Sequence, residues 1–178
     1  MIDTERLCLK PFSADDLDII YKIYSDREIM RYMPFEYMDK AASEKHLKRI
    51  VQGWSCDPLT DLELLISLKE TGEKIGRCHI QIDAEIDSAM IGWMLLKKEW
   101  NKGYATEIGK ALLDYLFDVL DVHRAYALCN PENTASRRVL EKCGMRLEAH
   151  FKQKCRYVKD SIVSWEDEMV YAILKNER

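Results

Sequence analysis

The sequence predicts a single α+β domain in which helices cover a mixed sheet. Three observations lead there. Segments with strand-like and helix-like periodicity follow one another in the order β α α β β β α β α β β, which gives about seven strands. No internal repeat, low-complexity tract or polar linker divides the chain. Its 178 residues, 47% hydrophobic and 33% charged, are enough for one well-packed core and few for two.

Thr4 to Phe12 sets Leu7 and Leu9 against Arg6, Cys8 and Lys10, the alternation of a strand. Ser13 then offers an N-cap to a helix carrying Leu17, Ile20 and Tyr24. After the break Arg31-Tyr32-Met33-Pro34, Asp39 can cap a second helix running through His46, Leu47, Ile50 and Val51 to about Trp54. Two apolar runs, Leu62 to Lys69 and Lys74 to Ile82, flank the glycine turn Glu70-Thr71-Gly72-Glu73, and Ala89 to Leu96 follows a polar turn; together they read as an antiparallel meander. From about Gly103 to Leu120, helical spacing puts Ile108, Leu112, Leu113, Leu116 and Phe117 on one face. Arg124 to Cys129 reads as a short strand and Asn133 to Cys143 as a helix closed by Gly144, with final strands over Met145 to Tyr157 and Trp165 to Leu174. On the first of these, Lys152, Lys154 and Arg156 alternate and are expected on one solvated face that protects a sheet edge.

A net charge of −4 gives no electrostatic footprint for nucleic acid. No apolar run reaches the roughly 20 residues of a membrane span, and the amino terminus lacks the apolar core of a secretory signal, so a cytoplasmic protein is expected. The six cysteines, Cys8, Cys56, Cys78, Cys129, Cys143 and Cys155, form no C-x-x-C pair and read as small hydrophobes. His46, His79, His123 and His150 show no metal-ligand spacing; each reads as a surface or hydrogen-bonded residue, and no metal is expected.

One stretch carries chemistry. Between Leu95 and Glu107, an apolar strand-like run breaks into Trp100-Asn101-Lys102-Gly103-Tyr104-Ala105-Thr106 and opens a long helix. The first turn of a helix presents N–H groups without intrahelical partners and the positive end of the dipole, which together grip a phosphate. Gly103 and Ala105 leave room for it. A nucleotide-binding P-loop does not fit, because G-x-x-x-x-G-K-[ST] is absent.

With this cradle stand Thr4-Glu5-Arg6-Leu7, Arg31-Tyr32-Met33-Pro34, Ile91-Gly92-Trp93, the run from Asn130-Pro131-Glu132-Asn133 to Cys143-Gly144-Met145, and Trp165-Glu166-Asp167 with Tyr171. In this order the chain resembles the GNAT superfamily of N-acetyltransferases, and within it the ribosomal-protein N-terminal acetyltransferases. The resemblance spans nearly the whole chain. It implies helices on both faces of the sheet and a splay between two parallel central strands, Ala89 to Leu96 and Arg124 to Cys129. It also implies acetyl-CoA as donor, its pyrophosphate on the N–H groups from Trp100 to Thr106 and its pantetheine arm along main-chain groups of Leu95 and Lys97. The Leu95 N–H would face the thioester oxygen.

Asn133 and Ser136 match the group's Asn-x-x-Ser motif, in which Asn binds the pantetheine and Ser lies near the sulfur; the resemblance makes Ser136 the candidate proton donor. Their other reading is as caps of the helix. Leu140 stands where many superfamily members have a catalytic Tyr, and Met90 where related proteins often have a Glu. Glu107 and Glu148 are the carboxylates in family-like positions. Glu107 reads as a complement to the helix dipole, and Glu148 as either a general base or a surface strand residue. Tyr32, Met33 and Trp93 are candidates for the acceptor wall, against a reading as packed turn and core. The acceptor is expected to be a primary amine, foremost a protein N-terminal α-amine, with a small-molecule amine as competitor and a non-catalytic acyl-CoA-binding module as the alternative class. A two-fold homodimer is the default assembly.

Overall fold

A computed structural model describes residues 1–55 and 60–178, so Cys56 lies outside the described residues. Strands β1 (Ile2–Asp3) and β2 (Leu7–Pro11) open the chain, followed by helices α1 (Leu17–Tyr24) and α2 (Lys40–Gly53). Then come strands β3 (Asp61–Leu68), β4 (Lys74–Asp83) and β5 (Ser88–Leu95), helix α3 (Tyr104–Asp114), strand β6 (Arg124–Cys129), helix α4 (Thr134–Lys142), and strands β7 (Arg146–Lys159) and β8 (Ile162–Leu174). This is the expected order with the two-residue β1 added. All eight strands form one sheet in the order β1-β2-β3-β4-β5-β6-β8-β7, with β5 and β6 parallel and the other neighbours antiparallel.

Local chemistry sets the helix starts. Asp39 accepts a hydrogen bond from the Ala42 N–H at 2.7 Å, and Asn133 accepts one from the Ser136 N–H at 3.1 Å. At Ser13 the carboxylate of Asp16 takes both the main-chain N–H and the hydroxyl, at 2.6 and 2.8 Å. A 3₁₀ turn over Ala14–Asp16 therefore precedes α1.

Strand alternation then builds two layers. Leu64, Ile66, Cys78, Ile80 and Ile91 meet Ile108, Leu112 and Leu116 of the α3 segment and Leu140 of α4 on one face. Leu65 and Met94 meet Ile20, Ile23 and Tyr24 of α1 and Leu47 and Ile50 of α2 on the other. Each fully buried Leu or Ile side chain contributes about 1.5–3 kcal/mol. The second layer also holds a polar cluster: Arg77 on β4 pairs with Glu63 on β3 and donates to the Tyr24 hydroxyl at 2.9 Å, which lies 3.1 Å from His46 Nε2 on α2.

Three expectations need correction. The helix from Gly103 does not run regularly to Leu120; it ends at Asp114 and continues as a π turn over Tyr115–Val119, with the Leu120 N–H donating to Tyr115 O at 3.1 Å. The wider turn leaves Leu116 and Phe117 both buried, and apolar spacing alone does not distinguish it. Lys152 and Lys154 do not share a face. The β7–β8 register shifts between Phe151 and Cys155, with Gln153 at φ +47°, and this bulge sends Lys152 to Asp167 and Lys154 to Glu168, consecutive residues on opposite faces of β8. The last hairpin is also longer than expected, because Asp160 and Ser161, at φ +49° and +64°, form a two-residue turn of the hairpin-favouring hand without glycine.

Candidate active site

The site is built from what β5 and β6 fail to do. They pair only at Ser88–Arg124, Ala89–Ala125 and Met90–Tyr126; from Ile91 and Ala127 onward no rung joins them, and the sheet opens into a gap. On its other edge β5 stays paired to β4 as far as Leu95, and the Leu96 N–H donates to Ile75 O at 2.9 Å. Main-chain groups along a strand alternate between its two edges, so the N–H groups of Trp93 and Leu95 face the gap. The Leu95 carbonyl accepts the Trp100 indole N–H at 2.9 Å, which pins the end of the strand to the loop beyond it.

That loop is the cradle. Asn101 and Gly103 both adopt left-handed backbone conformations, at φ +61° and +83°. The Glu107 N–H to Gly103 O bond at 3.1 Å opens α3, so the N–H groups of Tyr104, Ala105 and Thr106 leave the helix end without intrahelical partners. The nearby ammonium groups are already engaged: Lys97 by Glu28, Lys98 by Glu73 and Lys102 by Glu99. The main chain and the α3 dipole thus supply the attraction for an anion. A pyrophosphate followed by a slender arm fits this combination of N–H donors and open gap, while Gly103 is required by its left-handed backbone, since a Cβ there would face Arg6 Nη2 at 3.4 Å.

Asn133 and Ser136 lie at the same end. Cys129, the last residue of β6, places its sulfur 3.3 Å from Asn130 O and 3.8 Å from Asn133 O. Burial raises the pKa of this thiol while the neighbouring Ser136 hydroxyl opposes the rise. Ser136 is therefore half-buried beside the β6 wall of the gap, and Asn133 has its side chain in the helix cap.

The other candidates are dispersed. Glu148 sits by Arg124, at the closed end of the β5–β6 pair, and also meets Arg146 at 2.7 Å. The Arg124 hydrogen bond foremost, with the charges of both arginines, holds its carboxyl below the usual carboxylate range, and both of its oxygens are engaged by those arginines. Trp93 packs against Gly109 of α3, whereas Tyr32 and Met33 lie with the α1–α2 segment on the opposite side. Glu107 is clasped by Thr4 and Arg6. Burial raises its pKa, but those bonds and the Arg6 charge prevail and lower it.

Two residues gain roles that sequence reading passed over. His79 is half-buried, and its Nδ1 is sealed from solvent without a partner among the described residues; its Cε1 lies 2.4 Å from where a Gly92 Cβ would stand, and burial pushes its pKa down to about 3. A neutral imidazole thus lies over β5 at the start of the gap, on the face that Met90 shares. Arg6, in the β1–β2 turn, donates to Lys102 O at 3.0 Å and stacks 4.5 Å above the Tyr104 ring. Among the described residues no cluster of His, Cys, Asp or Glu could hold a metal ion.

The family described as acetyltransferase (GNAT) domain matches residues 6–146. The chain is 34% identical over 176 residues to the uncharacterized N-acetyltransferase YnaD of Bacillus subtilis, covering 99% of this chain and 98% of that one. It is 26% identical over 159 residues to a spermidine N(1)-acetyltransferase of Vibrio cholerae, covering 84% of each. The structure of Mycobacterium smegmatis RimJ in complex with CoA-disulfide matches with a TM-score of 0.82 at 27% identity, covering 96% of this chain and 83% of that one. The chain belongs to the GNAT family and is an acetyl-CoA-dependent N-acetyltransferase.

Proposed function

We propose that the enzyme acetylates a primary amine at the end of a slender chain, with a protein N-terminal α-amine as acceptor. The observation that supports this is a strap across the α1/α2 face. Tyr157 donates to Tyr32 O at 2.7 Å, Lys159 to Met30 O and Phe35 O at 2.9 and 2.7 Å, and the Asp160 and Ser161 N–H groups to Glu36. The β7–β8 hairpin is thereby tied to the segment that contains Tyr32 and Met33, which favours an extended amine over a folded surface.

Acetyl-CoA supplies an acetyl group activated as a thioester. The Trp100 N–H already donates to Lys97 O at 3.2 Å, so the N–H groups from Asn101 to Thr106 receive its pyrophosphate, and main-chain groups of Leu95 and Lys97 together with Asn133 guide the arm into the gap. The Leu95 N–H supports the charge that develops on the thioester oxygen; losing one comparable donor typically slows a reaction about 100-fold to 1000-fold. The Ser136 hydroxyl passes a proton to the departing sulfur and is restored by the one the attacking amine gives up, so that amine and thioester become amide and thiol. With Met90 on β5 and Glu148 held ionised elsewhere, the amine attacks in its neutral form, so kcat/KM rises with pH until the free amine is deprotonated.

The likeness to the Vibrio cholerae spermidine N(1)-acetyltransferase favours a second acceptor class, a small aliphatic polyamine. Thiol release from acetyl-CoA in the presence of peptides with free or blocked amino termini, and of polyamines, separates the two. Turnover that requires a free peptide terminus is expected; turnover of polyamines alone would transfer the assignment to the second class, and silence across the panel with CoA bound would point to a binding module.

A further inference from the structure

We propose that Arg6 is a positioning residue for the phosphate cradle: by holding the Lys102 carbonyl it turns the Gly103 N–H toward the place of the anion. The proposal rests on the reading of the Trp100 to Thr106 loop as the pyrophosphate site. Arg6 belongs to a turn that is ordered before it reaches the loop, since the Thr4 N–H donates to Leu7 O and the Leu7 N–H to Thr4 Oγ1, both at 2.9 Å. Glu107 aims the side chain from the other partner. Its carboxylate accepts the Thr4 hydroxyl, the Arg6 N–H at 2.9 Å and Arg6 Nε at 2.7 Å. The remaining arm of the guanidinium, Nη1, is left to donate to Lys102 O at 3.0 Å.

In a trans peptide the C=O and the following N–H point in opposite directions. Fixing the Lys102 oxygen against Arg6 therefore sends the Gly103 N–H to the far side of the peptide, and keeps an electronegative oxygen from facing an anion. This bond also holds the peptide that leads into the left-handed Gly103. Arg6 itself stands behind the loop, with Nη2 3.4 Å from where a Gly103 Cβ would lie and Glu107 meeting its charge. It acts on geometry rather than by touching phosphate. Lysine lacks the fork needed to serve carboxylate and carbonyl together.

The test compares kcat/KM for acetyl-CoA with that for acetyl-pantetheine, which lacks the pyrophosphate, in the parent protein, Arg6→Ala and Arg6→Lys. The expected result is a loss of about tenfold or more for acetyl-CoA in both variants, with acetyl-pantetheine nearly unchanged, the size expected for a misaligned donor to a charged group. Equal losses for both donors would mean a merely structural clasp, and full recovery in Arg6→Lys would mean that charge alone matters; either overturns the proposal. Calorimetry of the parent protein with CoA and with pantetheine stands apart. Equal affinity for the two would remove the cradle itself, whereas tighter binding of CoA together with a silent Arg6→Ala would reject only the positioning role.

Discussion

Replacing Glu63 by Gln leaves a buried guanidinium without its countercharge. Arg77 is 4% exposed and Glu63 9%; Arg77 Nη2 pairs with Glu63, Nη1 donates to Tyr24, and Nε is sealed with no partner among the described residues. Burial opposes the Arg77 charge and pushes the Glu63 carboxyl up, yet the pairing with Glu63 holds the guanidinium charged. Gln keeps the shape and the acceptor oxygen and removes only the charge. Breaking one side of a buried pair costs about 3–5 kcal/mol, a large part of the roughly 5–15 kcal/mol that holds a domain folded. At a urea m-value near 2 kcal/mol/M, the midpoint should fall by roughly 2 M. The assay is equilibrium urea unfolding followed by circular dichroism. The double variant Glu63→Leu with Arg77→Met, which fills the space with apolar side chains, should recover most of the loss. A Glu63→Gln variant within about 1 kcal/mol of the parent, or a double variant no better than the single one, would refute the reasoning. Because Tyr24 and His46 tie α1 and α2 to this pair, the single variant should also raise KM for the amine while leaving CoA affinity alone.

Other outcomes follow from the same geometry. Gly92→Ala places a Cβ 2.4 Å from His79 Cε1 and should lower stability by about 1–3 kcal/mol, with recovery when His79→Ala is added; Gly76→Ala meets the main-chain oxygen of Met94 at 2.4 Å, and no side-chain truncation should rescue it. Thermal denaturation of the single and double variants checks both. Burial lowers the pKa of His46 from 6.5 to about 4 and of His79 to about 3, so the unfolded chain binds more protons below pH 6.5. Stability should therefore fall as pH drops from 6.5 toward 4, by up to about 1.4 kcal/mol per pH unit for His79 and by less for the partly exposed His46, where solvent screens the charge; a flat melting temperature over that range would contradict it. Ser136→Ala should lower kcat with little change in KM for acetyl-CoA, and a variant with full kcat would reassign the proton donor.

Local signals in the sequence reached far. Asp39 and Asn133 cap the helices they were expected to cap, Gly144 closes α4 at φ +83°, and Arg124 to Cys129 is a strand with those ends, because each depends on near neighbours. What depended on distant partners was not visible. The Arg6–Glu107 clasp joins residues 101 positions apart in the chain, so Glu107 could be read only as a dipole complement. His79 looked ordinary because its constraint is Gly92 on the next strand. Trp93 sat in a family motif, yet strand alternation turns it toward Gly109 and away from Tyr32 and Met33. The gap itself follows from where β5 and β6 stop pairing, and no single segment encodes that; the resemblance to the GNAT superfamily supplied it. The bulge at Gln153 reversed the faces of the lysines beyond it for the same reason, since nothing in the run from Lys152 to Arg156 marks an inserted residue.

The claim that the β5–β6 gap and the loop after β5 hold the donor is tested most directly by titrating the ¹⁵N-labelled protein with CoA and following each amide by NMR. The expected result is that the largest shifts fall on Leu95, Gly103, Tyr104, Ala105 and Thr106, with the Ser136 amide moving as the arm enters the gap. Saturable binding that leaves those amides in place and shifts a different surface would contradict it.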